Sequence, residues 1–404
     1  MTQMPETRVE VQLSGALSGI RVLDCSRLLP GAYCTQIMGD MGAEVIKIEE
    51  PRRGDYHRSF PPIAKEESGS FLLLNRNKKS VTLNLKSARG RDLFLDLAKD
   101  ADVVLEGFRP GVMDRLGVGY EALQQVNPRL IYCAISGFGQ DGPYRLKPGH
   151  DLNYMALAGC LQLFGQAGGG PMVPGLSIAD VGGGSLTALA GILAALLSRG
   201  QTGKGQFVDI SMTDGAMSWL SFHGGDWLFD GVEPRGGERP FIGQAPCYNV
   251  YRCADDRHVA LGIIEPQFWQ SFCDRMGLED LKNDQWPEGD DARRQKERLQ
   301  ALFETRPRDE WVAFLESADI PFSAVNSIEE AMADPQLRAR GMVQTVNHPV
   351  EGDIPQFGFP IKLSGTPCRI ETPPPRLGEH NHEVLSRLGL SQGEIEALEE
   401  EDNW

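Results

Sequence analysis

Residues 20–49 read IRVLDCSRLLPGAYCTQIMGDMGAEVIKIE, and this run decides the fold class of the 404-residue chain. It places a short apolar stretch, IRVLDC, before a helical segment that a proline opens, and a second apolar stretch, EVIKIE, follows Ala43. Proline costs little in the first turn of a helix, because its missing N–H would have no partner there. The run therefore predicts a strand, a helix and a second strand.

The same alternation continues to about Phe138. KSVTLNL, DVVLEGF and LIYCAISGFG have the pattern of buried strands, and GRDLFLDLAKDA has that of an amphipathic helix. Alternation of this kind predicts an α/β fold with a Rossmann-like parallel sheet, whose ligand site lies at the carboxyl ends of the strands. The turn after the first strand, SRLLPGAYCT, lacks the Gly-x-Gly-x-x-Gly motif, which argues against a nicotinamide enzyme.

The length and the 41% hydrophobic content predict two domains. We expect residues 1–223 to form the first part of a large domain, and residues 224–245, which show no clear periodicity, to form a linker. A hairpin and a helix within residues 246–335 predict a smaller α+β domain. Residues 336–404 are expected to serve as a linker and then return to the large domain.

The charge balance bounds the partners of the chain. Forty basic residues against 56 acidic ones give a net charge of -16, which repels nucleic acid and anionic membranes. An anionic ligand would therefore need a local basic patch. Eight cysteines without a Cys-x-x-Cys pair are typical of reduced thiols in a cytoplasmic protein.

The sequence favours neither a secretory signal nor a membrane span. The first residues, MTQMPETRVEVQ, are polar and of mixed charge, which is unlike a signal peptide. The longest apolar stretch, Leu186 to Leu197, has twelve residues, fewer than the ~20 that a membrane-spanning helix needs. We predict that it forms a buried helix.

Two candidate proton carriers stand thirty residues apart. His150 lies in GHDLNY and Asp180 in SIADVGGG, each close to glycine. Histidine side chains titrate near neutrality, which suits general acid and base catalysis. Asp180 precedes an apolar helix, whose N-terminal N–H groups and dipole stabilise an anion there. The alternatives are a structural histidine and an N-cap aspartate.

Glu265 and Asp151 complete the candidate catalytic set. Glu265, in GIIEPQF, ends an apolar strand-like run. A side chain at the end of a strand lies where ligand sites tend to occur. Strand-end glutamates are also commonly just solvated. Either Asp151 or Glu265 could fix the tautomer of His150, as the third member of a catalytic constellation does.

Several basic side chains fall in turns where an anionic ligand could bind, although they could equally neutralise local charge. Tyr154 follows His150 by one helical turn. The pair His380 and His382 lacks further suitably spaced ligands, so no metal site is predicted. The candidate contacts to an anionic ligand are Arg52, Arg76, Lys79, Arg109, Arg115 and Tyr154.

Taken together, the motifs resemble the class III CoA-transferase family over nearly the whole chain. The runs that carry the resemblance are LSGIRVLD, GDMGAEVIKIE, NKKSVTLNLKS, DVVLEGFRPGVMDRLG, SGFGQDGPY, TGKGQFVDISM and LGEHNHEVL. Within that family, GHDLNY, ADVGGG and GIIEPQF resemble the alpha-methylacyl-CoA racemase branch.

The resemblance implies an interlocked homodimer that acts on an acyl-CoA and needs no cofactor beyond the CoA of its substrate. In the racemase branch, the residues matching His150 and Asp180 exchange the α-proton of a 2-methylacyl-CoA thioester, and the one matching Glu265 orients the histidine. In the transferase branch, the residue matching Asp180 is a nucleophile that forms an enzyme–CoA thioester. Racemisation is the expected activity and CoA transfer the alternative.

Two departures bear on these expectations. Glu50 stands where some racemases carry a basic contact to the nucleotide, which leaves Arg52 or Arg53 to substitute. Residues 243–251, GQAPCYNVY, lack the glycine run that the formyl-CoA transferase type carries in its small domain. The second departure favours the racemase branch.

Overall fold

The computed structural model describes residues 15–401, so the N-terminal run MTQMPETRVEVQ lies outside the described residues. The strands are β1 (Arg21–Asp24), β2 (Glu44–Glu49), β3 (Lys78–Thr82), β4 (Val103–Glu106), β5 (Ile131–Ser136), β6 (Phe207–Ser211), β7 (Tyr248–Arg252), β8 (His258–Gly262), β9 (Phe322–Ala324), β10 (Val343–His348) and β11 (Gly352–Phe357).

A stretch of π-helix, Ala179–Leu186, leads directly into α7. The α-helices are α1 (Leu29–Asp40), α2 (Gly69–Leu74), α3 (Ala88–Lys99), α4 (Val112–Arg115), α5 (Tyr120–Val126), α6 (Asp151–Leu157), α7 (Thr187–Thr202), α8 (Met212–Ser218), α9 (Gly224–Asp230), α10 (Pro266–Met276), α11 (Gly289–Phe303), α12 (Arg308–Leu315), α13 (Ile328–Ala333), α14 (Pro335–Ala339), α15 (Asn381–Leu385) and α16 (Gln392–Glu401).

Six parallel strands form one sheet in the order β3-β2-β1-β4-β5-β6. Val22 of β1 lies opposite Val45 of β2 on one side and Val103 of β4 on the other. This is the doubly wound strand order, in which the chain reverses its direction of growth between β1 and β4. The α/β prediction from residues 20–49 is confirmed.

Burial explains why the strands read as continuous apolar runs. Every residue of β4 and β5 is buried, because helices cover both faces of the sheet. One face packs against α3, whose Leu93, Phe94 and Leu97 belong to the same core cluster as Val104. In β4 and β5, side chains can therefore reach a ligand only from the strand ends.

The chain divides into two compact units. The described residues of the first unit are 15–154, 177–216 and 336–401, and the second unit comprises 155–176 and 217–335. Sequence periodicity did not indicate that 155–176 would leave the large domain. These residues pair with a distant segment, as when the Gly236 N–H donates to the Gln162 carbonyl at 3.1 Å, and such pairing has no periodic pattern.

The second unit contains an antiparallel three-stranded sheet, β7-β8-β9. The first two strands are the predicted hairpin, with Tyr248 opposite Gly262. Its core is aromatic and includes the fully buried Trp269 and Phe303. The predicted linker, 224–245, lies in this unit and contains α9, which an ion pair between Asp226 and Arg239 at 2.8 Å holds in place.

The apolar helix after Asp180 is buried on one face only. Ala188, Ile192 and Ala195 are buried, whereas Leu186 is 42% exposed and Leu197 is 74% exposed. The expectation of a wholly buried helix therefore holds for one of its faces. Within residues 15–401, the continuous helix Ala179–Thr202 is long and apolar enough to span a membrane. Core helices of soluble proteins also satisfy this criterion.

Candidate active site

A cleft of about 430 Å³ opens in the first unit, where the chain segments after β1 and β4 lie side by side. Open α/β sheets bind their ligands at this reversal of strand order. The side chains that bear on the chemistry there are Arg27, Phe108, Arg109, Arg145, Lys147, His150, Tyr154 and Asp180. Both predicted proton carriers therefore line the same cleft.

His150 stands immediately before α6, and its backbone is fixed there. Its N–H donates to the Asn153 side-chain oxygen at 3.0 Å, while its carbonyl accepts the N–H of Asn153 at 2.8 Å. The residue is exposed on the cleft wall. A rigid backbone with an accessible ring is the arrangement that a proton carrier requires.

Asp180 lies in the first turn of the π-helix, and the N-cap residue of that helix is Ile178. The N-cap alternative for Asp180 is therefore wrong. Burial and the charge of Asp151 raise the pKa of Asp180 to about 7. Both protonation states of this carboxyl are accordingly populated near neutral pH.

Asp151 makes a hydrogen bond that the sequence did not predict. Its Oδ1 accepts the backbone N–H of Asp180 at 2.9 Å. It thus ties the start of α6 to the first turn of the π-helix. Asp151 connects the segments that carry His150 and Asp180.

The glycine run after Asp180 permits close backbone packing. A Cβ atom on Gly183 would lie 2.6 Å from the Met212 carbonyl oxygen and 2.9 Å from the Ala216 nitrogen. Any side chain there would push the π-helix away from α8. Short π-helical stretches often occur at functional sites, and this one carries Asp180 into the cleft.

Tyr154 supports the turn that precedes His150. A Cβ atom on Gly137 or on Gly149 would lie 2.4 Å or 2.7 Å from the tyrosine ring, so both glycines make room for it. The hydroxyl of Tyr154 donates to the Gly149 carbonyl. Burial, together with the nearby charge of Asp180, raises the pKa of Tyr154 to about 12. The hydroxyl predicted to contact a ligand is thus already engaged in the fold.

The loop after β1 is held by buried charges. Leu28 adopts φ +63°, a conformation that costs energy for a residue with a side chain. Its N–H donates to Asp55 at 3.1 Å, and Lys47 donates to the Ser26 carbonyl at 2.9 Å. Although burial alone raises the pKa of Asp55, the Lys47 ammonium 2.8 Å away lowers it to about 2. This ion pair fixes the cleft wall.

Three cleft cations escaped the sequence analysis: Arg27, Arg145 and Lys147. The Arg27 guanidinium lies 5.0 Å from the ring centroid of Tyr56 and 5.3 Å from that of Phe108. With Arg109, which was predicted, they form the local basic patch that an anionic ligand needs. They lie in irregular loops, where no periodic pattern or motif marks a basic residue as a ligand contact.

The other predicted ligand contacts lie elsewhere. Arg76 is 2% exposed and donates to Asp40 at 2.6 Å and to Gln356 at 3.1 Å, so it is unavailable to a ligand. Lys79 pairs with Glu44 at 2.8 Å and with Glu383 at 2.6 Å. These two cations stabilise the fold, which the spacing of charges along the chain could not reveal.

Arg52 and Arg115 are exposed and are not among the lining residues of the cleft. Arg52 follows β2, and Arg115 ends α4. Glu265 belongs to the second unit, where it is exposed and occupies the N-cap position of α10 without a side-chain capping hydrogen bond. Its carbonyl accepts the N–H of Phe268 at 3.1 Å.

Comparison with known proteins shows the family to which the sequence belongs. The sequence model of CoA-transferase family III matches residues 17–381. An acyl-CoA transferase of Fusarium pseudograminearum is 39% identical over 407 residues, covering 96% of this chain and 88% of that protein. The alpha-methylacyl-CoA racemase of Homo sapiens is 36% identical over 390 residues, covering 95% of this chain and 96% of that protein.

A comparison with solved structures finds the same fold in related proteins. A CAIB/BAIF family protein from Brucella suis matches with a TM-score of 0.81 at 29% identity, covering 93% of this chain and 99% of that one. The relatives include both transferases and racemases. The comparisons therefore show the family of this chain and leave open which of the two reactions it catalyses. The chain belongs to CoA-transferase family III.

Proposed function

We propose that the protein inverts the stereocentre next to the carbonyl of a 2-methylacyl-CoA by a two-base proton exchange. The observation that carries this proposal is that His150 and Asp180 line one cleft while the pKa of Asp180 is raised to about 7. One group removes the α-proton and the other returns a proton to the carbon. The pair must therefore hold one proton between them before each turnover.

The intermediate of this reaction is an enolate, which needs stabilisation. An α-proton of a thioester is far less acidic than either side chain, so base catalysis worth ~10²–10⁴ in rate does not suffice alone. The positive end of the π-helix, where Asp180 lies, favours a developing oxyanion. A preorganised donor in such a position lowers the barrier by about 3 kcal/mol.

The cations of the cleft support an acyl-CoA substrate. Arg27, Arg109 and Lys147 concentrate positive charge in a protein whose net charge is -16. Arginine and lysine bind phosphate oxygens through charge-assisted hydrogen bonds. The phosphates of CoA supply such a ligand, and a small neutral substrate would have no use for this patch.

CoA transfer between carboxylic acids is the second candidate. Here Asp180 attacks the thioester carbonyl, the CoA thiolate leaves, and the resulting acyl anhydride reacts with that thiolate to give an aspartyl-CoA thioester and a free acid. A second acid then takes over the CoA. The name of the Fusarium relative, an acyl-CoA transferase, favours this reading.

Incubation of a 2-methylacyl-CoA in D₂O distinguishes the two reactions. Deuterium uptake at C2 with inversion of configuration, and without any acceptor acid, is expected, and the inversion should be lost in the His150→Gln and Asp180→Asn variants. Exchange of CoA that requires an acceptor acid, together with trapping of an Asp180 adduct by hydroxylamine, would instead establish transfer.

We also propose that the chain works as a homodimer in which Glu265 orients the histidine. Trp219, Phe222, Trp227 and Phe229 of the second unit are each more than half exposed, and large exposed apolar groups of this kind commonly mark interfaces. Analytical ultracentrifugation should give the mass of two chains. A monomer at micromolar concentration would contradict this part of the proposal.

Co-expression provides a sharper test of Glu265. A dimer that mixes one His150→Ala chain with one Glu265→Ala chain regains an intact set only if the two residues act across subunits. Activity in the mixed dimer, with none in either parent, is the expected result. A mixed dimer as inactive as its parents would show that both residues must come from one chain.

A further inference from the structure

Glu106 is a buried carboxyl that the proposed reaction does not use. It is the last residue of β4 and is only 4% exposed. The next four residues, 107–110, line the cleft. Its Oε2 atom accepts the backbone N–H of Phe108 at 2.6 Å, a short hydrogen bond that bends the chain immediately after the strand. The carboxyl therefore sets the path of the segment that enters the site.

Phe108 contacts a cation of the cleft and orients it. Its ring lies 5.3 Å from the guanidinium of Arg27, which comes from the loop after β1. Arg27 is held on its other side by the hydroxyl of Tyr56, to which it donates at 3.0 Å. Displacement of Phe108 would remove one of the two aromatic surfaces that orient Arg27. The contacts thus run from Glu106 through Phe108 to a charged group in the cleft.

The surroundings of Glu106 keep its carboxyl mostly protonated, and therefore uncharged, near pH 7. A cavity of about 460 Å³ behind the segment is lined by Glu106, Asp114 and Tyr132. Burial raises the pKa of Glu106 to about 8, the charge of Asp114 adds to the rise, and the Phe108 N–H and the Tyr132 hydroxyl oppose it. A neutral carboxylic acid that accepts a backbone N–H is closely mimicked by glutamine.

We propose that Glu106 is a positioning residue: it fixes Phe108, and through it Arg27, for binding of the anionic part of the acyl-CoA, a ligand that rests on the proposed function. It acts through these groups and touches no reacting atom. Loss of Glu106 should therefore weaken substrate binding and leave the proton exchange at C2 nearly intact. The effect belongs in KM and in the Kd for CoA, and kcat should change little.

The test compares Glu106→Gln, Glu106→Leu and a matched control at the other end of the same strand. Asp102 precedes β4, and its carboxylate likewise accepts a backbone N–H, from Arg21 at 2.8 Å. We expect Glu106→Leu to raise the Kd for CoA about tenfold, the effect of losing one hydrogen bond of ordinary strength. Glu106→Gln should restore most of the loss. Asp102→Asn removes the ion pair of Asp102 with Arg199 at 2.8 Å, so it should lower Tm without changing Kd.

Hydrogen exchange gives a readout that does not depend on activity. The amide of Phe108 should exchange faster in Glu106→Leu than in the wild type, and it should regain protection in Glu106→Gln. If Glu106→Leu does not fold, Phe108→Ala breaks the same chain of contacts at a partly exposed residue and should raise the Kd for CoA in the same way.

Equal exchange at Phe108 in the wild type and Glu106→Leu overturns the positioning role. Faster exchange with an unchanged Kd overturns the link to the ligand, as does a Glu106→Gln variant that behaves like Glu106→Leu. Wild-type protein that neither binds CoA nor takes up deuterium contradicts the proposed function instead, and the exchange comparison then still decides whether Glu106 fixes the segment.

Discussion

At the scale of single residues, Asp180 determines the pH dependence of the proposed reaction. With a pKa of about 7, it shares one proton with His150 in the active form, and either a second proton or the loss of the first stops exchange. We expect a bell-shaped profile of kcat/KM with one limb near pH 7. Both enantiomers must give the same profile, because the equilibrium constant between them is fixed.

The measurement is the rate of inversion of each enantiomer between pH 5 and 10. Asp180→Asn replaces the titrating carboxyl with an amide that cannot act as an acid or a base near pH 7. It should lower the rate by two to four orders of magnitude, roughly the contribution of one general acid or base. A variant that retains a near wild-type rate of inversion would show that another group carries the proton.

Glu106 gives a residue-scale prediction about stability. The folded pKa of about 8 lies above the ordinary value of 4.5, so the folded state holds a proton that the unfolded state releases. The stabilising contribution is complete below pH 4.5 and is lost as pH rises through 8. Glu106→Gln keeps an uncharged side chain at every pH. As pH increases from 5 to 8, the Tm of the variant should therefore rise relative to that of the wild type.

Thermal unfolding of the two proteins across pH 5 to 9 tests this difference. The gap in Tm should widen with pH and become constant above about pH 9. A gap that is the same at pH 5 and pH 9 would mean that Glu106 has an ordinary pKa in the folded protein.

At the scale of elements, the π-helix and α8 form a packed pair that carries Asp180. Gly183→Ala places a methyl group 2.6 Å from the Met212 carbonyl, and one of the two elements must shift. We expect a loss of about 1–3 kcal/mol in the free energy of unfolding, typical of overpacking, and a marked fall in activity as Asp180 moves.

Gly200→Ala is the matched control, because it lies in α7 and its added Cβ would meet no atom within 4 Å. Alanine is the better helix former, so this variant should be neutral or more stable by up to about 1 kcal/mol. Urea unfolding measures both variants. Equal stability of Gly183→Ala and the wild type would show that the two elements can separate at no cost.

At the scale of the whole molecule, the local patch and the net charge act in opposite directions on an anionic substrate. The charge of -16 is spread over the protein, and at physiological salt its distant members are screened beyond about 8 Å. Arg27, Arg109 and Lys147 act at contact distance, so their attraction prevails in the cleft.

We therefore expect the Kd for CoA to rise as KCl increases from 0.05 to 0.5 M. Pantetheine, which lacks the phosphates, should bind with little dependence on salt, and it serves as the control ligand. Isothermal titration calorimetry gives both values. CoA binding that is insensitive to salt would contradict the assignment of the cationic patch to the phosphates.

The sequence by itself determined the class of fold, and it singled out His150 and Asp180, which line one cleft. Continuous apolar runs such as those of β4 and β5 require a sheet covered on both faces, and the glycines near His150 and Asp180 mark segments where the backbone can pack closely. These are local properties, since periodicity and residue type report which face of an element is buried and which backbone conformations are open to it.

Only the tertiary structure decided which distant segments meet. The strand order brings the loops after β1 and β4 together, so that Arg27 lies against Phe108, and it buries Arg76 against Asp40, away from any ligand. A basic residue reads the same in the sequence whether it binds a substrate or closes an internal ion pair. The difference depends on what is packed around it, which burial and strand pairing across the chain determine.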